Sequence, residues 1–320
     1  MELDINKFLH DTVENSIVLE DYLRNGFGKL NEQKTILLEK HGMIPNVEQY
    51  INVFINFLKK HKDSYGKFLL TQNNFNKIEN CFFSNVDIVV NKQEKGGNNG
   101  YLVGDIRKLN EEGKINTLRM NFTLSGKDWN GFVNRARSLF AHELTHAYEI
   151  YMRLKKGQRP YTVDNYIDSY VTTRDLITSS NSTSLEKKIG YIVYYLFDFE
   201  TNAYAASLYT SLLYSASKWA NPQDGLKQIE ENITFNNFKI IYNWIEEIAN
   251  TNNKSDVEEI WLQITKRHLS YNKIIKKITS LYYKRWNQLR KVIAKVCLDA
   301  FENSRLKPFK NEEIDLSTLF

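Results

Sequence analysis

The stretch Phe132-Val133-Asn134-Arg135-Ala136-Arg137-Ser138-Leu139-Phe140-Ala141-His142-Glu143-Leu144-Thr145-His146-Ala147 carries two histidines four positions apart, with a glutamate directly after the first. Residues four apart on a helix lie one turn apart on the same face, so both imidazoles can present a nitrogen to one ion about 2 Å away. No helix breaker interrupts Phe132 to Tyr151. Within that run Phe132, Ala136, Phe140, Leu144 and Ala147 form an apolar stripe beside the two histidines, which gives the helix one packed side and one ligand side. The helix is expected to run from about Trp129 and to stop near Gly157 and Pro160. Glu143 flanks the ligand face, where a carboxylate can take a proton from water that a metal ion has made acidic.

A third ligand has to come from elsewhere in the chain. Thr183-Ser184-Leu185-Glu186 is a Thr-x-x-Glu capping box and predicts a second long helix continuing through Tyr209. Leu185, Ile189, Ile192, Val193, Leu196 and Phe197 recur on it at the spacing of a buried stripe. Glu200 is the next residue of that stripe, followed by Ala203. An ionised carboxylate on an apolar face is costly unless it is paired or bound to a cation, so Glu200 is the candidate third ligand. The alternative is that the stripe simply ends at Glu200, in solvent or in an ion pair. On a continuous helix Asp198 points about 160° away from Glu200. His268 lacks positional support, and the segment between the two helices, which holds Asp164, Asp168 and Asp175, reads as irregular. The chain has two cysteines, Cys81 and Cys297, so neither a disulfide framework nor a four-cysteine knot is available and any metal must use histidine and carboxylate.

The 320 residues are 42% hydrophobic and 13% aromatic, which is enough for one large or two modest cores. The pattern predicts an α+β fold, predominantly helical. Residues 1–80 read as a helical region, exemplified by Val47 to Leu58 with apolar Val47, Tyr50, Ile51, Phe54 and Leu58. Residues 81–220 read as the core. It should contain a small antiparallel meander of Val86 to Val90, Tyr101 to Ile106 and Leu118 to Leu124, separated by Gly96-Gly97-Asn98-Asn99-Gly100 and Asn110-Glu111-Glu112-Gly113. The last strand alternates, with Leu118, Met120, Phe122 and Leu124 on one face and Thr117, Arg119, Asn121 and Thr123 on the other. Residues 221–320 read as a C-terminal helical region, with the boundary at Pro222 and Gly225.

Charge and hydropathy narrow the partners. The formal charge of +5, from 43 basic and 38 acidic residues, does not imply a nucleic-acid partner. Lys273, Lys276, Lys277, Lys284, Arg285, Arg290, Lys291 and Lys295 alternate with Ile274, Ile278, Leu281, Leu289 and Ile293, which reads as the solvated face of an amphipathic helix; the alternative is a face for an acidic partner. The start, Met1-Glu2-Leu3-Asp4-Ile5, is acidic where a secretory signal is basic, and no apolar run reaches bilayer length. A soluble, unprocessed protein without a signal peptide is therefore expected, in the cytoplasm or in a virion. The abundance of Asn, Lys, Ile and Tyr, residues of AT-rich codons, is that of a low-GC bacterium or a phage infecting one.

From these residues the chain resembles a gluzincin-type zinc metallopeptidase, with His142, Glu143 and His146 as the first motif. Ala141 to Ala147 is similar to the corresponding stretch of thermolysin-like peptidases, although Asn165-Tyr166 stands where those enzymes carry Asn-Glu. Glu200-Thr201-Asn202-Ala203-Tyr204-Ala205 loosely resembles the Glu-x-x-Ala helix of minimal gluzincins and of membrane-linked prenyl-protein peptidases. The resemblance implies a zincin-like core in which His142, His146 and Glu200 hold Zn2+ and Glu143 is the general base. Tyr204, four residues after Glu200, is the favoured oxyanion-stabilising hydroxyl, and Glu149 either orients His146 or is an exposed helix acid. The substrate would be a peptide or protein, aligned by strand addition along the wet face of the Leu118 to Leu124 strand. The competing expectation is a phage virion or tail structural protein that keeps a zincin-like fold within a homo- or hetero-oligomeric assembly, with little or no peptidase activity. A host-directed toxin is a third.

Overall fold

The computed structural model describes residue 44 and residues 47–60, 67–70, 74, 75, 77–93, 99–102, 106–125, 129–158, 165–216, 228 and 231–303. Helix α1, Val47–Lys60, forms because Val47, Tyr50, Ile51, Phe54 and Leu58 share one face, and all five are buried. Glu48 in its first turn and Lys59 and Lys60 in its last complement the helix dipole. Phe54 stacks on Phe140 with ring centroids 4.4 Å apart and lies 5.5 Å from Phe122, which ties this helix to the motif helix and the sheet.

Four strands follow: β1 Lys67–Leu70, β2 Phe83–Gln93, β3 Asn99–Leu102 and β4 Ile115–Ser125. Their order is β1-β2-β4-β3. The expected antiparallel meander is corrected to a mixed sheet, because β4 runs parallel to β2, in register Val86↔Leu118 and Ile88↔Met120, and only the outer pairs are antiparallel. The physical reason lies in the apolar content of each strand. Val86, Ile88 and Val90 of β2 and Leu118, Met120, Phe122 and Leu124 of β4 are all buried, so the two richest strands pair at the centre and short β3 takes the edge. The β4 alternation holds, with Arg119 exposed opposite that buried row. Strand β3 is described over Asn99–Leu102; Ile106, expected within it, is not in a strand, and residues 103–105 lie outside the described residues. Asn110 closes the turn before β4, its Oδ1 accepting from the backbone N–H groups of Glu112 and Lys114, with Gly113 at φ +72°.

The motif helix, α2, spans Trp129–Lys155. It ends where Gly157 adopts φ +68°. The Gly157 N–H donates to the Leu154 carbonyl and the Gln158 N–H to the Arg153 carbonyl, each at 2.9 Å, the paired bonds of a Schellman cap. Buried Arg137 on α2 ion-pairs with Glu48, donates to Asn52 Oδ1 at 3.3 Å and lies over the Tyr214 ring at 5.1 Å. Removing the cation strands partners held in a shielded contact, so Arg137→Ala is expected to lower unfolding free energy by about 3 kcal/mol. Urea titration measures this directly. An unchanged midpoint would show that α1 is not anchored through Arg137.

Two expectations about the next helices are corrected. The segment read as irregular contains helix α3, Asn165–Thr178. Its inward face includes Ser169 and Thr173 as well as Leu176, and Thr173 Oγ1 donates to the Ser169 carbonyl at 2.6 Å, so the burial is not written in apolar residues. Gly190 receives it: a Cβ there would sit 3.2 Å from Ile177. The single long helix is in fact two, α4 Ser184–Leu196 and α5 Asp198–Ala216, broken where Phe197 adopts φ −63°, ψ 137°. The capping box at the start of α4 is present, with Thr183 and Glu186 bonded reciprocally. The break lets α5 lie along α2 while α4 packs on α3.

Helices α6 Ile233–Ala249, α7 Lys254–Thr265 and α8 Tyr271–Asn303 complete the described chain. Tyr282 of α8 donates to the Phe238 carbonyl of α6 at 3.0 Å, and α8 packs along α5. Lys273, Lys276, Lys277 and Lys284 are exposed, whereas Arg285, read with them as surface, is only 5% exposed and belongs to the α8 inner face beside Trp286 and Leu289. Buried apolar residues from Ile44 to Val292 form one continuous cluster. The expected boundary at Pro222 and Gly225 lies outside the described residues, as do Asp164 and the first 43 residues. Among the described residues no helix is long and apolar enough to cross a membrane.

Candidate metal centre

Small residues bring α2 and α5 together. Ala141 and Ala147 on α2 and Ala203, Ala205 and Ala206 on α5 are all buried, and Ser207 Oγ donates to the Ser138 carbonyl at 2.8 Å across the pair. Close backbones leave longer side chains of the two helices facing one another at one level. There His142 Nε2 lies 3.2 Å from His146 Nε2 and 3.3 Å from Glu200 Oε2, and His146 Nε2 lies 3.8 Å from Glu200 Oε1. The three side chains form a group whose ligand atoms all lie within 4.8 Å of one another. Glu200 is 1% exposed, so the apolar stripe does not end in solvent. His268 is exposed, and the side chains of Asp168 and Asp198 lie outside the described residues.

Burial sets the protonation of this group. It holds the His142 and His146 imidazoles below their ordinary value, His146 at about 4 even though Glu200 pulls it upward, so both rings are neutral at pH 7 and have a lone pair to offer. Burial also raises Glu200, partly offset by His146 and by a hydrogen bond from Tyr194. The donor set suits a divalent metal ion on two counts. Ligands about 2.0–2.1 Å from a tetrahedral centre stand roughly 3.3 Å apart, close to the spacings present. In addition, Glu200 Oε2 and His146 Nδ1 are buried with no hydrogen-bond partner among the described residues. A carboxylate oxygen in that position costs free energy unless a cation meets it.

Glu143 is 6% exposed, and burial pushes its carboxyl up to about 7, with His142 opposing and Glu200 adding to the shift. Edge strand β3 crosses directly over it. A Cβ on Gly100 would lie 3.1 Å from Glu143 Cγ and 3.0 Å from Phe122, so glycine is what permits this approach. The sequence pattern treats Gly100 as part of a turn, and its true neighbour is not encoded locally. Strand β4, expected to receive substrate, lies inside the sheet; the edge beside Glu143 belongs to β3.

Aromatic residues enclose the rest. Tyr204 packs edge-to-face on His142 at 4.8 Å, stacks on Tyr195 at 4.6 Å, and shares a hydrogen bond with the Tyr195 hydroxyl. Phe199 lies 5.5 Å from His146 and 5.5 Å from Tyr170. The Tyr170 hydroxyl, hydrogen-bonded to Tyr194, feels the carboxylates of both Glu200 and Glu143, and burial first of all raises its pKa to about 12. Tyr170 escaped the sequence reading because α3 did, and nothing local distinguishes it or Tyr194, on α4, among 19 tyrosines. Glu149 accepts from Asn202 at 2.6 Å rather than from His146, and Asn202 accepts from Gln288 of α8 at 2.7 Å. It is a half-buried link between helices, not an exposed acid.

No protein-family model, no curated protein and no solved structure matches this chain.

Proposed function

We propose that the protein is a zinc-dependent metallopeptidase in which His142, His146 and Glu200 hold the ion and Glu143 is the general base. The observation that carries the reading is the buried convergence of two neutral imidazoles and a carboxylate whose Oε2 has no hydrogen-bond partner among the described residues, with a second carboxylate, Glu143, beside them. A zinc ion held there would polarise the scissile carbonyl and acidify a water molecule. Glu143, buried beside the ligands, would accept a proton from that water and pass it to the leaving amine, the role of a positioned carboxylate in general acid–base catalysis. The outer edge of β3, which pairs with no further strand among the described residues, offers backbone groups to an extended peptide running past Glu143. Tyr170 and Tyr194 supply hydroxyls on the Glu200 side of the group.

Metal analysis tests the reading. The purified protein is expected to hold about one zinc per chain, and the double variant His142→Ala, His146→Ala none, at unchanged secondary structure. Full zinc content in the double variant would place the ion elsewhere.

A further inference from the structure

The His142 ring, whose Nε2 faces Glu200 Oε2 at 3.3 Å, is flanked by a stack of rings. The Tyr204 ring meets it edge-to-face at 4.8 Å with an interplanar angle of 63°. Behind Tyr204 the Tyr195 ring lies parallel, 4.6 Å away and tilted by only 14°. Tyr195 is fixed in turn, because Asn237 Nδ2 of α6 donates to its hydroxyl at 2.8 Å and the Phe238 ring stands against it at 5.8 Å and 87°. Phe238 also faces Tyr204, at 6.5 Å. The chain of contact therefore runs from α6 through α4 and α5 to a ligand on α2, joining four helices.

We infer that Tyr204, Tyr195 and Asn237 form a positioning relay that fixes the plane of the His142 ring, so that metal affinity at this site depends on the C-terminal helices. The inference rests on the metal reading above and adds a cause for its geometry. An imidazole can rotate about its side-chain torsions, and a ligand that must be reoriented before binding loses affinity in proportion. A charged partner would hold the ring and also raise its basicity. A wall of tyrosine rings holds it by shape alone and leaves the charge at the site unchanged. The relay also accounts for the break at Phe197, since α4 and α5 can present Tyr195 and Tyr204 face to face only because the chain changes direction between them.

The test measures zinc affinity by competition with a chromophoric chelator, and ligand geometry by the visible absorption of the cobalt-substituted protein. Tyr204→Leu is expected to weaken zinc binding about 10- to 100-fold and to change the cobalt spectrum, whereas Tyr204→Phe, which keeps the ring, retains both. Asn237→Ala keeps every ring of the stack but removes the hydrogen bond that fixes the Tyr195 hydroxyl, and is expected to weaken binding about 10-fold while the metal-free protein still folds. It serves as the second variant should Tyr204→Leu fail to fold. If wild type binds zinc tightly and Tyr204→Leu and Asn237→Ala match it in affinity and spectrum, the relay is overturned while the metal site stands. A wild type that takes up no metal overturns both.

Discussion

Glu143→Gln is expected to keep its fold and its metal yet lose about 10²- to 10⁴-fold in peptide cleavage, the usual contribution of a positioned general base. The substitution preserves size and hydrogen bonding while removing the group that accepts the proton. Its environment sharpens the prediction. Glu143 is nearly enclosed and lies under Gly100, so a glutamine there has little freedom to be replaced by solvent. The assay is digestion of a denatured protein by wild type, Glu143→Gln and chelated wild type, followed by mass spectrometry of the products. Equal digestion by wild type and variant would remove Glu143 from the mechanism. Intact substrate in all three samples, with zinc present, would favour a structural role for the ion.

A second large effect is expected at Glu200. Glu200→Leu should weaken zinc binding by more than the roughly 100-fold that a merely supporting residue costs, because it deletes a ligand. The same change should leave the metal-free protein as stable as wild type or more so. A buried carboxylate whose Oε2 has no partner among the described residues destabilises the fold when no cation is there, and leucine removes that burden. Thermal unfolding with and without zinc separates the two consequences. Zinc at about a thousand times the wild-type Kd should stabilise wild type by about 4 kcal/mol and Glu200→Leu by less than about 1.4 kcal/mol. A variant stabilised by zinc as strongly as wild type would mean that Glu200 is not a ligand.

These predictions depend on features that differ in how far the sequence reveals them. The motif helix was legible at both ends, since its apolar stripe has a clear period and Gly157 marks the stop in a left-handed conformation. The approach of Glu200 to the histidines was legible for a related reason: a carboxylate on an apolar stripe is an anomaly that burial makes expensive. The break at Phe197 was not, because no glycine or proline announces it. Glu200 reaches the site from a separate helix, so the continuous-helix geometry used to weigh Asp198 against it does not apply.

Helix α3 was missed because Ser169 and Thr173 bury their hydroxyls, Thr173 by bonding to its own helix, and a polar residue on an inward face erases the periodic signal. Strand order was beyond reach for a more general reason. Alternation tells which face of β4 is buried, but that β2 pairs along its other edge, opposite β3, is decided by side-chain contacts between distant segments. The same limit hid Gly100 over Glu143, the tyrosine stack on His142 and the burial of Arg285, each a contact between distant parts of the chain.

The most direct test of the whole account is a crystal of the protein as purified, with diffraction recorded on both sides of the zinc absorption edge. The account predicts one anomalous peak per chain, present only above the edge, within about 2.2 Å of His142 Nε2, His146 Nε2 and a Glu200 carboxylate oxygen. A peak bound by other side chains, or no peak at those three in crystals soaked with zinc, would contradict it.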